Sequence, residues 1–187
     1  MRAYNLLFLF ILFFINISNG QEIERSTFGL QVGVLGVWVN HEYKLIDRFI
    51  LRTEVGLDSY ILSKTPEHKS NLQFSPVVTL EPRWYYNLTS RKKKEKHILR
   101  NSANFFSLKS SYHPDWFVIS NQDNLIPISD ISIVPSWGMR RHIGQHINYE
   151  VGLGIGYIRT FYSNTGFGPD EEAIDINLNI RIGYSIF

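Results

Sequence analysis

The chain has 187 residues, 44% of them hydrophobic and 19% charged, with a formal net charge of +2. That is enough for one domain with a sizeable core, and so even a balance gives no global pull toward nucleic acid. Cysteine is absent, which excludes a disulfide framework and lipid attachment at an N-terminal cysteine.

The first segment, MRAYNLLFLFILFFINISNG (1–20), has the layout of a cleaved secretory signal peptide. Arg2 supplies the positive start, and Leu6 to Ile15 is an apolar run shorter than the ~20 residues of a spanning helix. Ser18 and Gly20 are small residues placed for cleavage before Gln21, leaving 21–187 as one mature domain of net charge +1.

The mature chain then alternates. FGLQVGVLGVWV (28–39) opens the series, its phase blurring after Val34. RFILRTEVGLD (48–58) sets Phe49, Leu51, Val55 and Leu57 against Arg52, Glu54, Gly56 and Asp58. VVTLEPRWYY (77–86) sets Val78, Leu80, Trp84 and Tyr86 against Thr79, Glu81 and Arg83. ISIVPSWGMR (131–140) sets Ile131, Ile133, Trp137 and Met139 against Ser132, Ser136 and Arg140, and FFSLKSS (105–111) alternates more weakly, with Phe106 and Leu108 opposite Ser107 and Lys109. HINYEVGLGIGYI (146–158) and IDINLNIRIGYSIF (174–187) close with long runs of Ile, Val, Leu and Tyr opposite Asn, Glu, Gly, Asp and Arg. A strand turns successive side chains to opposite faces, so each segment reads as a strand with one greasy and one polar face. No mature segment shows a helical period, and the connections are polar or carry Gly, Pro and Asn.

Two all-β architectures fit. A soluble barrel or sandwich points the greasy faces inward and could carry an apolar ligand. A transmembrane barrel points them outward to lipid, around a polar interior. The long uncharged faces favour the second, as do Trp38, Trp84, Tyr86, Trp137, Tyr157 and Tyr184 near their ends, where an interfacial girdle would lie. On that reading Arg52, Glu54, Glu81, Arg83, Glu150 and Arg181 form a charge network that plugs the lumen.

The signal followed by Gln21, LRTEVGL, LEPRWYYNL, SYHPDWF and the terminal Phe187 together resemble uncharacterised small outer-membrane β-barrel proteins of Bacteroidota-type bacteria. The resemblance spans nearly all of the mature chain and implies location and fold: an antiparallel up-and-down barrel in the outer membrane. It further implies that the last strand is read by the barrel-assembly machinery, and it carries no catalytic signature. Bacterial single-chain barrels use even strand numbers. Eight strands are therefore expected, at 28–39, 48–60, 74–86, 104–112, 116–121, 130–140, 146–159 and 173–186. Both termini are then periplasmic, and 41–47, 88–102, 122–129 and 160–172 face outside. If 113–129 is all loop, the first half reverses. Pro82 and Pro135 fall inside strands and are expected at bulges.

Two motifs could do more than build a wall. Arg91, Lys92, Lys93, Lys94 and Lys96, in RKKKEKH (91–97), would meet lipopolysaccharide phosphates if they face outside, or form a solvated loop. HKSN (68–71) is similar to the His-x-Ser-Asn of lipid A deacylases, with Ser70 as nucleophile and His68 as base, although it sits beside Pro66 in a loop. His142 and His146 stand four apart in a turn, without carboxylates, so no metal site is expected. No cofactor site emerges. The expected role is structural or surface-binding, with outer-membrane lipids as surroundings.

Overall fold

The computed structural model describes residues 25–62, 71–96, 98–121, 125–166 and 168–186. The leader, His68 and Ser70 of HKSN, His97 and Phe187 lie outside the described residues.

The alternating segments are strands. They are β1 (Ser26–Gly33), β2 (Gly36–Ile46), β3 (Phe49–Leu62), β4 (Asn71–Trp84), β5 (Asn104–His113), the short β6 (Ile119–Ser120), β7 (Asp130–Ile143), β8 (Ile147–Thr160) and β9 (Glu171–Ser185). Among the described residues one short α-helix, α1 (Leu88–Lys93), interrupts them. Eight strands pair antiparallel in the order β3-β2-β1-β9-β8-β7-β5-β4, and β3 pairs with β4 to close the barrel. β6 adds two residues to the edge of β4.

The eighth strand is not where the alternation puts it. Residues 28–39 are not one strand: the chain reverses at Val34–Leu35, and β1 and β2 form a hairpin. The 116–121 stretch contributes only β6. Because 114–129 is essentially one long connection, the first half of the barrel is reversed relative to the expected plan. The 47–48 turn, the 85–103 connection and the 144–146 turn lie at the end that holds the termini, here the terminal end. The 34–35 turn and the 114–129 and 161–170 connections lie at the opposite, loop end.

The expected bulges at Pro82 and Pro135 are absent. Each proline sits at a gap in one ladder, β4–β5 and β7–β8 respectively, while the register continues unshifted on either side. A proline lacks only its N–H, so a missing rung on one side suffices. The register shift in β2–β3 falls between Lys44 and Ile46.

The greasy faces point outward. Ile176 is 75% exposed and Leu153 62%, whereas Glu54 and Arg83 are each 1% exposed. An aliphatic band runs round the outside, through Leu30, Val39, Val55, Leu80, Leu108, Ile133, Val151 and Ile180. Exposed rings flank it: Tyr43, Phe49, Trp84, Phe106, Tyr149 and Tyr184 toward the terminal end, and Tyr112, Trp116, Phe117 and Tyr157 toward the loop end. Trp38 is not among them. It is 3% exposed, and its Nε1 donates to Asp58 (2.5 Å) inside the barrel. Opening β2 at Gly36 puts Trp38 on the inward parity, which a continuous 28–39 strand obscures.

Candidate functional site: the charged lumen

Strand parity brings all six expected charges, Arg52, Glu54, Glu81, Arg83, Glu150 and Arg181, into the lumen as buried residues. Glu42 and Arg140 join them and complete two hubs. Glu150 accepts from Arg83 Nη1 and Nη2 (2.9 and 2.8 Å), Arg140 Nε (3.0 Å), Arg52 Nη1 (3.4 Å) and Asn179 Nδ2 (2.8 Å). Glu42 takes Arg140 Nη1 at 2.6 Å, Arg52 Nη1 at 3.3 Å and Arg83 Nη1 at 3.5 Å. Glu54 bridges Arg52 to Arg181, the latter at 2.8 Å, and Glu81 holds Arg83 at 2.7 Å. A charge out of water is tolerated when paired and hydrogen-bonded, and here every carboxylate meets at least one guanidinium.

Aromatic faces and amides finish the packing. The Arg83 guanidinium lies 4.1 Å from the Phe105 ring centre and that of Arg181 3.7 Å from the Trp38 ring, both within cation–π range. Gln31 accepts from Arg52 (2.5 Å) and donates to Asn148 (2.9 Å). Gly138 leaves room for Phe105: a Cβ there would sit 2.4 Å from its ring.

A strap closes the terminal end. After β4, Tyr85, Leu88 and Ala103 bury against Ile50 and Phe105. Asn101 donates from Nδ2 to Glu42 (2.9 Å), and Ser102 Oγ meets His142 Nδ1 (3.0 Å). Arg100 and Asn101 both hold positive φ, 48° and 63°, to dip into the mouth. Burial pushes the Tyr85 phenol up to about 12. His142 and His146 are bonded to Ser185, the first to its hydroxyl and the second to its carbonyl, rather than facing a shared point.

The basic run sits on this strap. Lys92, Lys93, Lys94 and Lys96 are exposed and Arg91 is half-buried, all at the terminal end rather than beside the loops 114–129 and 161–170. At the loop end His113 joins Asp130 (2.7 Å), Asp58 (3.2 Å) and the Tyr60 hydroxyl (2.9 Å). The 161–170 connection is pinned by Asp170. Bonds from the Ser163 hydroxyl and then Arg159 hold its carboxyl below the usual range.

Residue-type reasoning left out Glu42, which lies in NHEYK and reads as a connection. Its signal was the Trp38–Asn40–Glu42 spacing of two, which continues the inward face of β2. Arg140 and Lys109 were placed on polar faces but not in the network. No known family, curated protein or solved structure matches the chain.

The arrangement is suited to sealing. Its charges neutralise one another and hold fixed partners. Two small voids lie among them, of about 10 Å³ and about 30 Å³, room for a water or two.

Proposed function

We propose that this protein is a small outer-membrane β-barrel with a structural or surface-binding role and a lumen sealed against conduction. The observation that carries the reading is the exposed aliphatic band between two aromatic rings. A water-soluble barrel has no reason to expose so much contiguous apolar surface, whereas lipid favours it and aromatic rings favour the headgroup level. On β8 the band runs from Tyr149 to Tyr157. That is about 27 Å of strand, or roughly 20 Å along the axis at a tilt of ~40°, close to the ~25 Å apolar band of such barrels.

Bacterial barrels keep short turns on the periplasmic side, and the terminal end has two of its three connections that short. With that end in the periplasm, Arg91, Lys92, Lys93, Lys94 and Lys96 face away from lipopolysaccharide, and the expected contact is not carried forward. The outward surface is then the loop end, acidic at Asp115, Asp170, Glu171 and Glu172.

Fractionation tests the reading. The protein is expected to pellet with outer membranes, to need detergent for release, and to shift in gel mobility on boiling. Release by high salt or carbonate alone would sink it.

A further inference from the structure

The barrel wall is incomplete on one side. β1 and β2 end where Gly33 pairs with Arg181 and Gly36 with Asp58. Their neighbours go on toward the loop end: β3 runs to Leu62, and β9 begins at Glu171. Among the described residues no strand fills the space between them. Among the described residues the wall therefore has a notch two strands wide, bordered on one side by Glu171–Ile180, about 30 Å of strand and roughly 20–25 Å along the axis.

Both the edge and the floor of the notch have a definite chemistry. The carbonyls of Ile180 and Tyr184 point toward β1, at the Cβ positions of Gly33 and Gly29. The two-residue repeat then turns the N–H and C=O of Glu172, Ile174, Ile176 and Leu178 into the notch. Hydrocarbon cannot satisfy such groups, so they need water or a polar occupant. The floor is the Val34–Leu35 turn, with Val34 76% exposed. Hairpin turns ordinarily carry Asn, Asp or Gly; an apolar pair there suits lipid, not water.

Behind this floor lies the 30 Å³ cavity. Leu35, Leu178 and Ile180 line one part of it, and Lys109, Asn179 and Arg181 another. Lys109, Asn179 and Arg181 also line the neighbouring 10 Å³ void. Lys109 is buried, and among the described residues no hydrogen bond or ion pair reaches its ammonium. Arg181 Nε is likewise buried without an acceptor. In the lumen Arg52, Arg83, Arg140 and Arg181 pair with Glu42, Glu54, Glu81 and Glu150, whereas Lys109 makes no such pair among the described residues. Asp58 lines the same cavity, but its oxygens already meet Trp38 and His113.

We propose that the notch is a lateral portal for a long-chain fatty acid. Its carboxylate sits on Lys109 with Arg181 beside it, and its chain leaves over Leu35 and the outer ridge of β9. A cavity of 30 Å³ admits a carboxylate in place of its waters but not a phosphodiester headgroup. Lipid reaches the notch only if the barrel spans a membrane, so the proposal rests on that reading.

The test uses the full mature chain, folded in uncharged maltoside micelles and titrated with oleate labelled with ¹³C at the carboxyl. Saturable binding with a shifted carboxyl resonance is expected, and oleyl alcohol should not displace it. Lys109→Met should weaken binding at least tenfold, while Lys109→Arg keeps it; gel mobility confirms that both fold. Stearate spin-labelled at mid-chain should broaden the methyl signals of Leu35 and Leu178. Oleate binding no tighter than oleyl alcohol, or equal in Lys109→Met, overturns the portal while leaving the membrane reading intact. Release from membranes without detergent, with oleate still held through Lys109, sinks the membrane reading alone.

Discussion

The two halves of the lumen solve the same electrostatic problem differently. Toward the terminal end, Glu42 and Glu150 each gather three guanidiniums, and the strap adds Asn101 as a further donor. Toward the loop end the β1–β2 hairpin stops short, the packing opens into small cavities, and among the described residues Lys109 makes no hydrogen bond or ion pair. Charges away from water are held in place by the number of opposite charges and donors around each one. Where the wall is complete, strands on all sides supply them. Where two strands are missing, one side supplies none, and a polar vacancy results.

The sharpest way to break this contrast is at a hub. Glu150→Ala strands Arg83, Arg140 and part of Arg52 in a low-dielectric interior, and a loss of about 3–5 kcal/mol is expected. Guanidinium unfolding in micelles, followed by the heat-shifted gel band, measures it; a loss under 1 kcal/mol would mean that the hub contributes little. A smaller effect is expected where the strap meets that hub. Asn101→Ala removes one charge-assisted bond to Glu42 and should cost about 1.5–3 kcal/mol. Hydrogen exchange should then rise in 98–103 while the β7–β9 amides stay protected. Unchanged exchange in 98–103 would show that the strap is held without Asn101, by its buried side chains and the Ser102–His142 bond. The smallest effect belongs to the loop-end half. Lys109→Met removes a buried charge that no hydrogen bond or ion pair holds among the described residues, so stability should change by less than about 1 kcal/mol, or rise. A large loss on the same unfolding assay would reveal an ion pair and erase the difference between the halves.

Much of this could be read along the chain. The parity of 48–58, 77–86, 131–140, 146–158 and 174–186 told which side chains share a face, and the polar faces already contained seven of the eight network charges, all but Glu42. The hairpin at 34–35 escaped because turns are recognised by polar, flexible residues, and Val34–Leu35 has neither property. The eighth strand was therefore sought at 116–121, and the loops of the first half were assigned to the wrong end. The same error hid Glu42 in an apparent connection and sent Trp38 to the outside. The prolines misled for another reason: a missing N–H announces a gap in a ladder, but not whether the register shifts there.

Strand content, the period of two and the separation into greasy and polar faces follow from local order, because a β-strand's geometry relates each residue only to its near neighbours. Which carboxylate meets which guanidinium, where the wall stops short and which cation lacks a direct ion pair came from the closed barrel. Those depend on register and closure between segments as far apart as Gly33 and Arg181, and no local pattern carries that information.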